Sequence, residues 1–226
     1  MRPLLCLAVL AGCGTDTVGT ERPNPECTAG ADMTPHNLFP LKVGATWSYA
    51  ITDAQTGPAG TKTQTITGTT TLPNISGDVF VAETQKPTAG QRTVSYQQDI
   101  GPAVIRYSED VFFNTTKIYS EIYNPYKLRA PKAPVEVGTG CTFVYHERDL
   151  DGAGATLSEI DKSESFVVEA IESVTVPAGP FNNAIKIHRT SQTTQSDKLF
   201  WYVEDVGKIK EVGSGQTEEL SSYSIP

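Results

Sequence analysis

Hydrophobic positions along this chain recur with a period of two and nowhere sustain the 3.6 period of a helix, so the pattern predicts an all-β protein. Ala184-Ile185-Lys186-Ile187-His188 alternates cleanly, with Ile185 and Ile187 inward and one face wet. Thr63, Thr65, Thr67, Thr69 and Thr71 share one face of a strand whose other face carries Ile66 and Leu72, and a row of hydroxyls belongs in water. Leu199-Phe200-Trp201-Tyr202-Val203 is apolar at every position and must be covered on both sides, by a second sheet or a curled neighbour. Breakers rich in Gly, Pro, Asn and Ser divide the rest into strands near 45–52, 62–72, 78–85, 91–98, 103–108, 116–123, 141–148, 157–174, 181–194, 198–204 and 207–213. At most a turn or two of helix is expected around Asp32 to Leu38, and 124–134 reads as a Pro-punctuated crossover. Ten or eleven antiparallel strands of this kind suit a curled sheet, an open barrel or a sandwich.

Two motifs recur in the same order. Pro40-Leu-Lys-Val43-Gly44-Ala-Thr-Trp47-Ser-Tyr49 matches Pro134-Val-Glu-Val137-Gly138-Thr-Gly-Cys141-Thr-Phe143, and Tyr96-Gln-Gln-Asp99-Ile100-Gly101 matches Tyr202-Val-Glu-Asp205-Val206-Gly207. The expected organisation is therefore a duplicated β unit: a first repeat over 35–110, a connecting strand and crossover over 111–133, and a second repeat over 134–226, packed as one domain.

The N-terminus follows different rules. Arg2, the apolar run Leu4 to Leu10 and the small pair Ala11-Gly12 ahead of Cys13 form an export signal over 1–12. Leu10-Ala11-Gly12-Cys13 resembles the lipobox of bacterial lipoproteins, which implies diacylglycerol on the Cys13 sulfur and cleavage just before it. Gly14 in place of the Asp that retains such proteins at the inner membrane implies the outer membrane of a Gram-negative envelope. Residues 13–34 then read as the lipidated cysteine and a flexible tether, rich in Thr, Gly, Pro and Glu. With Cys6 removed and Cys13 acylated, Cys27 and Cys141 remain as an even pair in an oxidising compartment and are expected to form a disulfide, the alternative being two unpaired thiols.

Composition narrows the function. The chain has 226 residues, 26 acidic against 18 basic, a net charge of -8, which argues against nucleic acid as a partner. No apolar run reaches the roughly 18 residues of a membrane span, leaving the lipid anchor as the expected membrane contact.

Val176-Pro177-Ala178-Gly179-Pro180-Phe181 followed by Trp201-Tyr202-Val203-Glu204-Asp205-Val206-Gly207 resembles a group of bacterial envelope lipoproteins and domains of unknown function, sometimes called TapB-like. The resemblance covers about 38–213 and implies an antiparallel curled sheet in the envelope, with no activity attached. A more distant architectural likeness is to half-barrel lipoprotein carriers.

Candidate chemistry is sparse. His36 and His188 read as surface residues without partners. The stretch from His146 to Gly154 contains Asp149-x-Asp151-Gly152, which resembles the opening of a calcium loop but lacks its third ligand, Glu159 being the nearest acid, so a hairpin turn is the simpler reading. No Ser-His-acid arrangement, nucleophile elbow or phosphate loop is legible, so neither a catalytic residue nor a cofactor is assigned. Trp47, Tyr49, Phe143, Trp201 and Tyr202 read as packing aromatics. The expected function is a non-catalytic envelope lipoprotein in a binding or structural role, its protein, lipid or glycan partner unspecified. The alternatives are a carrier or sensor of a hydrophobic ligand and, third, an enzyme on envelope glycans or lipids.

Overall fold

The structure is a computed structural model and describes residues 25–86 and 89–226. The export signal and the lipobox Cys13 lie outside the described residues.

The described residues form a closed barrel of twelve antiparallel strands with one short extra strand, and no α-helix occurs among them. In chain order these are β1 (Glu26–Cys27), β2 (Thr46–Asp53), β3 (Gly57–Thr70), β4 (Val79–Lys86), β5 (Gln91–Asp99), β6 (Ala103–Phe113), β7 (Thr116–Pro131), β8 (Gly140–Asp151), β9 (Thr156–Val176), β10 (Gly179–Ser191), β11 (Ser196–Val203), β12 (Gly207–Gly213) and β13 (Gln216–Ser224). Each strand from β2 to β13 pairs with the next, and β13 returns to β2 from Gln216↔Asp53 to Ser224↔Thr46. Closure removes the open edges that a curled sheet would present. Of the shapes expected, the barrel is the one formed, and it is closed rather than open.

The repeated motif folds into the same turn twice. Gly44 and Gly138 both take a positive φ, 90° and 86°, which a side chain would strain. Gly44 N–H donates to the Ile66 carbonyl and Gly138 N–H to that of Val168, both at 2.8 Å, while Ile66 and Val168 donate back to Ala45 and Thr139. Each half then contributes six strands. The segment expected as a crossover continues β7 to Pro131, and the sixth strand of the second half, β13, was not expected at all. Its hairpin with β12 is built by Ser214 and Gly215, both at positive φ, as a two-residue turn demands.

No helix forms around Asp32 to Leu38. Instead the chain crosses one end of the barrel: His36 N–H donates to the Lys132 carbonyl at the end of β7, and the Asn37 carbonyl accepts from Asp205 N–H in the β11–β12 turn. Leu38 and Phe39 are thereby pressed into the core, fully buried, with Phe39 stacked on Trp47 at 5.5 Å. Burial of two large apolar side chains favours this path over a solvated helix by about 3 to 6 kcal/mol.

The Cys27–Cys141 disulfide forms across 114 residues. It lays β1 against β8 with Cys27 opposite Cys141, so the segment expected as tether is, from Pro25 onward, partly sheet.

Trp201 faces outward yet is only 8% exposed, because the β9–β10 hairpin curls over it: Val176 and Ala184 are buried in its cluster, with Val174, Ala178 and Phe181 packed against it. The curled neighbour is the cover that the doubly apolar strand required.

Candidate functional site

Because side chains alternate across each strand, the faces that carry the core must continue along the same strands toward the other end of the barrel. There they change character. Inward Ile66 is preceded by inward Gln64 and Lys62, inward Ile185 and Ile187 are followed by Arg189, and inward Phe200 and Tyr202 are preceded by Lys198. One end of the barrel is plugged by Leu38, Phe39 and Trp47; the other opens onto a charged lumen.

The lumen consists of two contiguous cavities of about 580 Å³ and 260 Å³ that share Arg106, Arg129, Lys198 and Glu211. Nine Lys and Arg residues line it, half of the chain's 18. Facing them are Glu109, Glu121, Glu164, Glu211 and Glu218, with buried Glu147 reached by Lys127 at 3.5 Å and by Lys162. In a protein of net charge -8 the interior is thus positive.

These charges are organised in linked pairs. Glu218 sits between two ammonium groups, with Lys208 at 2.7 Å and Lys62 in direct contact, and Glu211 joins Lys208 to Lys198 at 3.0 Å. Burial alone would lower Lys208, but Glu211 and Glu218 outweigh it and hold the ammonium charged. Lys62 goes the other way: burial first, then the like charge of Lys208, bring it down to about 7 despite Glu218. Burial would raise Glu211, yet Lys208, Lys198 and Lys62 keep it well below the usual carboxylate range. On the opposite wall Arg189 Nε donates to Glu164 at 2.9 Å and Tyr145 Oη donates to the same carboxylate at 2.7 Å. Arg129 stands apart. Its guanidinium donates to the Gln64 side-chain oxygen at 3.1 Å and lies over the Phe39 ring at 4.7 Å, and no carboxylate among the described residues is paired with it.

The residues singled out from sequence occupy other places. Trp47 Nε1 donates to the Val206 carbonyl at 2.6 Å, and Tyr49 Oη donates to that of Lys208 at 3.0 Å, both beneath the lumen. Phe143 stacks against Tyr145, and Tyr202 against Phe200. Trp201 lies outside, its Nε1 donating to Glu172 at 2.7 Å between the ammonium groups of Lys186 and Lys210. Asp151 caps a hairpin turn by accepting from Ala153 and Ala155 N–H, both at 2.9 Å, and Asp149 accepts from Ser158 Oγ at 2.6 Å. Among the described residues no three His, Cys, Asp or Glu side chains converge as a metal site. The histidines are not solitary: His36 meets Glu204 at 3.3 Å, His146 meets Asp161 at 2.8 Å, and His188 lies between Glu169 at 3.0 Å and Asp197 at 2.8 Å. Register explains one of them directly, since His146 is opposite Asp161 on the adjacent strand.

No protein-family model matches the chain, and no curated protein matches it. Two solved structures are similar. One is a Bacteroides fragilis protein assigned as exported, with a YmcC-like fold, at 12% identity and a TM-score of 0.48, covering 84% of this chain and 100% of its own. The other is a Parabacteroides distasonis protein assigned as a lipoprotein, at 14% identity and a TM-score of 0.42, covering 84% of this chain and 99% of its own.

Proposed function

We propose that this chain is a lipid-anchored protein of the bacterial envelope whose barrel is a non-catalytic binding module, taking a polar small solute into its lumen. The observation that carries the reading is the placement of half the chain's Lys and Arg around one open mouth. Burying ion pairs rarely adds stability compared with apolar packing of equal volume. A barrel needed only for its shape would be more stable with the whole interior filled, as its plugged end is. The cavity volume lies in the range of small-molecule sites.

The same lining weighs against a hydrophobic cargo. An acyl chain in this lumen would strip water from Lys62, Lys208, Glu211 and Glu218 without replacing it. The apolar-lined hollow beside Pro25, Ile105, Tyr126 and Cys141 holds about 20 Å³, room for one water rather than a lipid. The anchor reading rests on the lipobox at Leu10 to Cys13, and the disulfide supports an oxidising compartment. The outer wall carries ion pairs such as Lys186–Glu169 and Lys210–Glu219, both at 2.8 Å, and β3 exposes Thr67 and Thr69, which supports a barrel standing in water beside the membrane rather than in it. A thermal-shift screen tests the binding reading. Polar solutes should raise the melting temperature while a fluorescent fatty acid stays unbound, and tight capture of the fatty acid would overturn it.

A further inference from the structure

We propose that the lumen is an anion site, in which Arg129 and Arg106 receive an oxyanion group of a small, multiply charged solute. This rests on the reading of the lumen as a ligand site and adds the sign of the ligand's charge and the place where it is held.

Three observations lead there. Among the described residues nine Lys and Arg side chains, of which Lys62 is half protonated at pH 7, line the lumen against six carboxylates, counting Glu147, and every one of those carboxylates contacts a Lys, an Arg or, for Glu164, both Arg189 and Tyr145. A cationic solute would find no free acid, whereas the surplus charge is positive. Second, among the described residues Arg129 has only the neutral Gln64 oxygen and the Phe39 ring as partners, leaving a guanidinium fork without an acid where fork-shaped donors match carboxylate and phosphate geometry. Third, Arg106 and Arg129 each line both cavities, and the Nε of each is buried with no acceptor. Arg106 is also paired with Glu109, so the donors free at this junction are its Nε and the fork of Arg129, and these are what an arriving oxyanion would satisfy. Lys86, at the end of β4 on the open side and without an ion partner among the described residues, adds positive potential at the entrance.

Carboxylates and phosphates share this chemistry, so both belong in the test. Isothermal titration of the full chain at low ionic strength would use citrate, a hexose phosphate, neutral trehalose and cationic spermidine. Citrate or the hexose phosphate should bind, more weakly as salt rises, and trehalose and spermidine should not. Whichever anion is preferred assigns the class. Arg129→Gln should weaken anion binding at least tenfold, in line with the loss of a charged hydrogen bond, and Arg129→Lys should restore part of it. Circular dichroism checks folding. If Arg129→Gln does not fold, the wild-type charge preference and a two- to threefold loss in Lys86→Gln decide the matter. Binding of trehalose, unchanged by Arg129→Gln, would overturn the anion proposal and leave the lumen as a ligand site. Silence toward both anions while the thermal screen finds another polar solute would also overturn it.

Discussion

Lys62 offers the sharpest test of the lumen's electrostatics. Its ammonium is buried on β3, shares Glu218 with Lys208, and is brought down to about 7 by burial and by Lys208. In the unfolded chain the same group returns to about 10.4. Between pH 7 and pH 10 the unfolded chain therefore holds a proton that the folded chain has released, and stability rises with pH across that window. Each pH unit of such a difference is worth about 1.4 kcal/mol, and because Lys62 is still half protonated at pH 7, the gain from pH 7 to pH 9 is about 2 kcal/mol. Lys62→Met removes the titration and leaves Glu218 paired with Lys208. Urea unfolding, followed by the fluorescence of buried Trp47 and Trp201, should show the wild type gaining about 2 kcal/mol more than Lys62→Met between pH 7 and pH 9. At pH 7 the variant should be at least as stable as the wild type. Parallel pH profiles would refute the reasoning. So would a loss above about 3 kcal/mol at pH 7, the signature of breaking a pair that is charged and structural.

The remaining predictions concern the frame and the anchor. Cys27→Ser should lower stability by up to about 4.7 kcal/mol, the loop-closure value for a loop near 100 residues, read as a drop in urea midpoint that reducing agent reproduces in the wild type. Gly140→Ala should cost about 3 kcal/mol or prevent folding, since its Cβ would lie 2.0 Å from the Phe166 carbonyl oxygen where β8 meets β9, whereas Gly68→Ala, in open space, should stay within about 0.5 kcal/mol. Cys13→Ser should move the protein from the membrane to the soluble fraction on cell fractionation, and continued membrane association would defeat the lipobox reading.

The strands were legible because alternation and breakers are local signals. The positions of Ile185, Ile187 and, on β3, of Thr63 and Thr65 opposite Ile66 follow from parity alone, whereas a bulge between Ile66 and Gly68 interrupts the expected Thr row and Thr71 lies past the end of the strand; the duplicated turn at Gly44 and Gly138 follows from a repeated motif. What escaped has physical reasons. Residues 216–224 carry few apolar side chains, since β13 presents Glu218 and Leu220 inward and little else, so no hydrophobic pattern marks them as a strand. β7 passes through Asn124-Pro125, a pair that reads as a break, because its register on β6 resumes beyond a bulge. Barrel closure depends on β13 meeting β2, a pairing between residues more than 160 apart that no local pattern encodes. The charged lumen was within reach. Once Ile66 was placed inward, Lys62 and Gln64 had to share its face, and the same parity carried Arg189 from Ile187 and Lys198 from Phe200. Lys and Arg belong in water by default, so no local pattern marks them as interior, although in a barrel half of the strand positions face inward.

Native mass spectrometry of the full chain, purified at low ionic strength, tests the central claim most directly. A small polar mass carried by the protein and shed as salt is raised is the predicted result. A chain that flies bare and takes up no polar solute, or that carries a lipid instead, would contradict a lumen built to hold a charged guest.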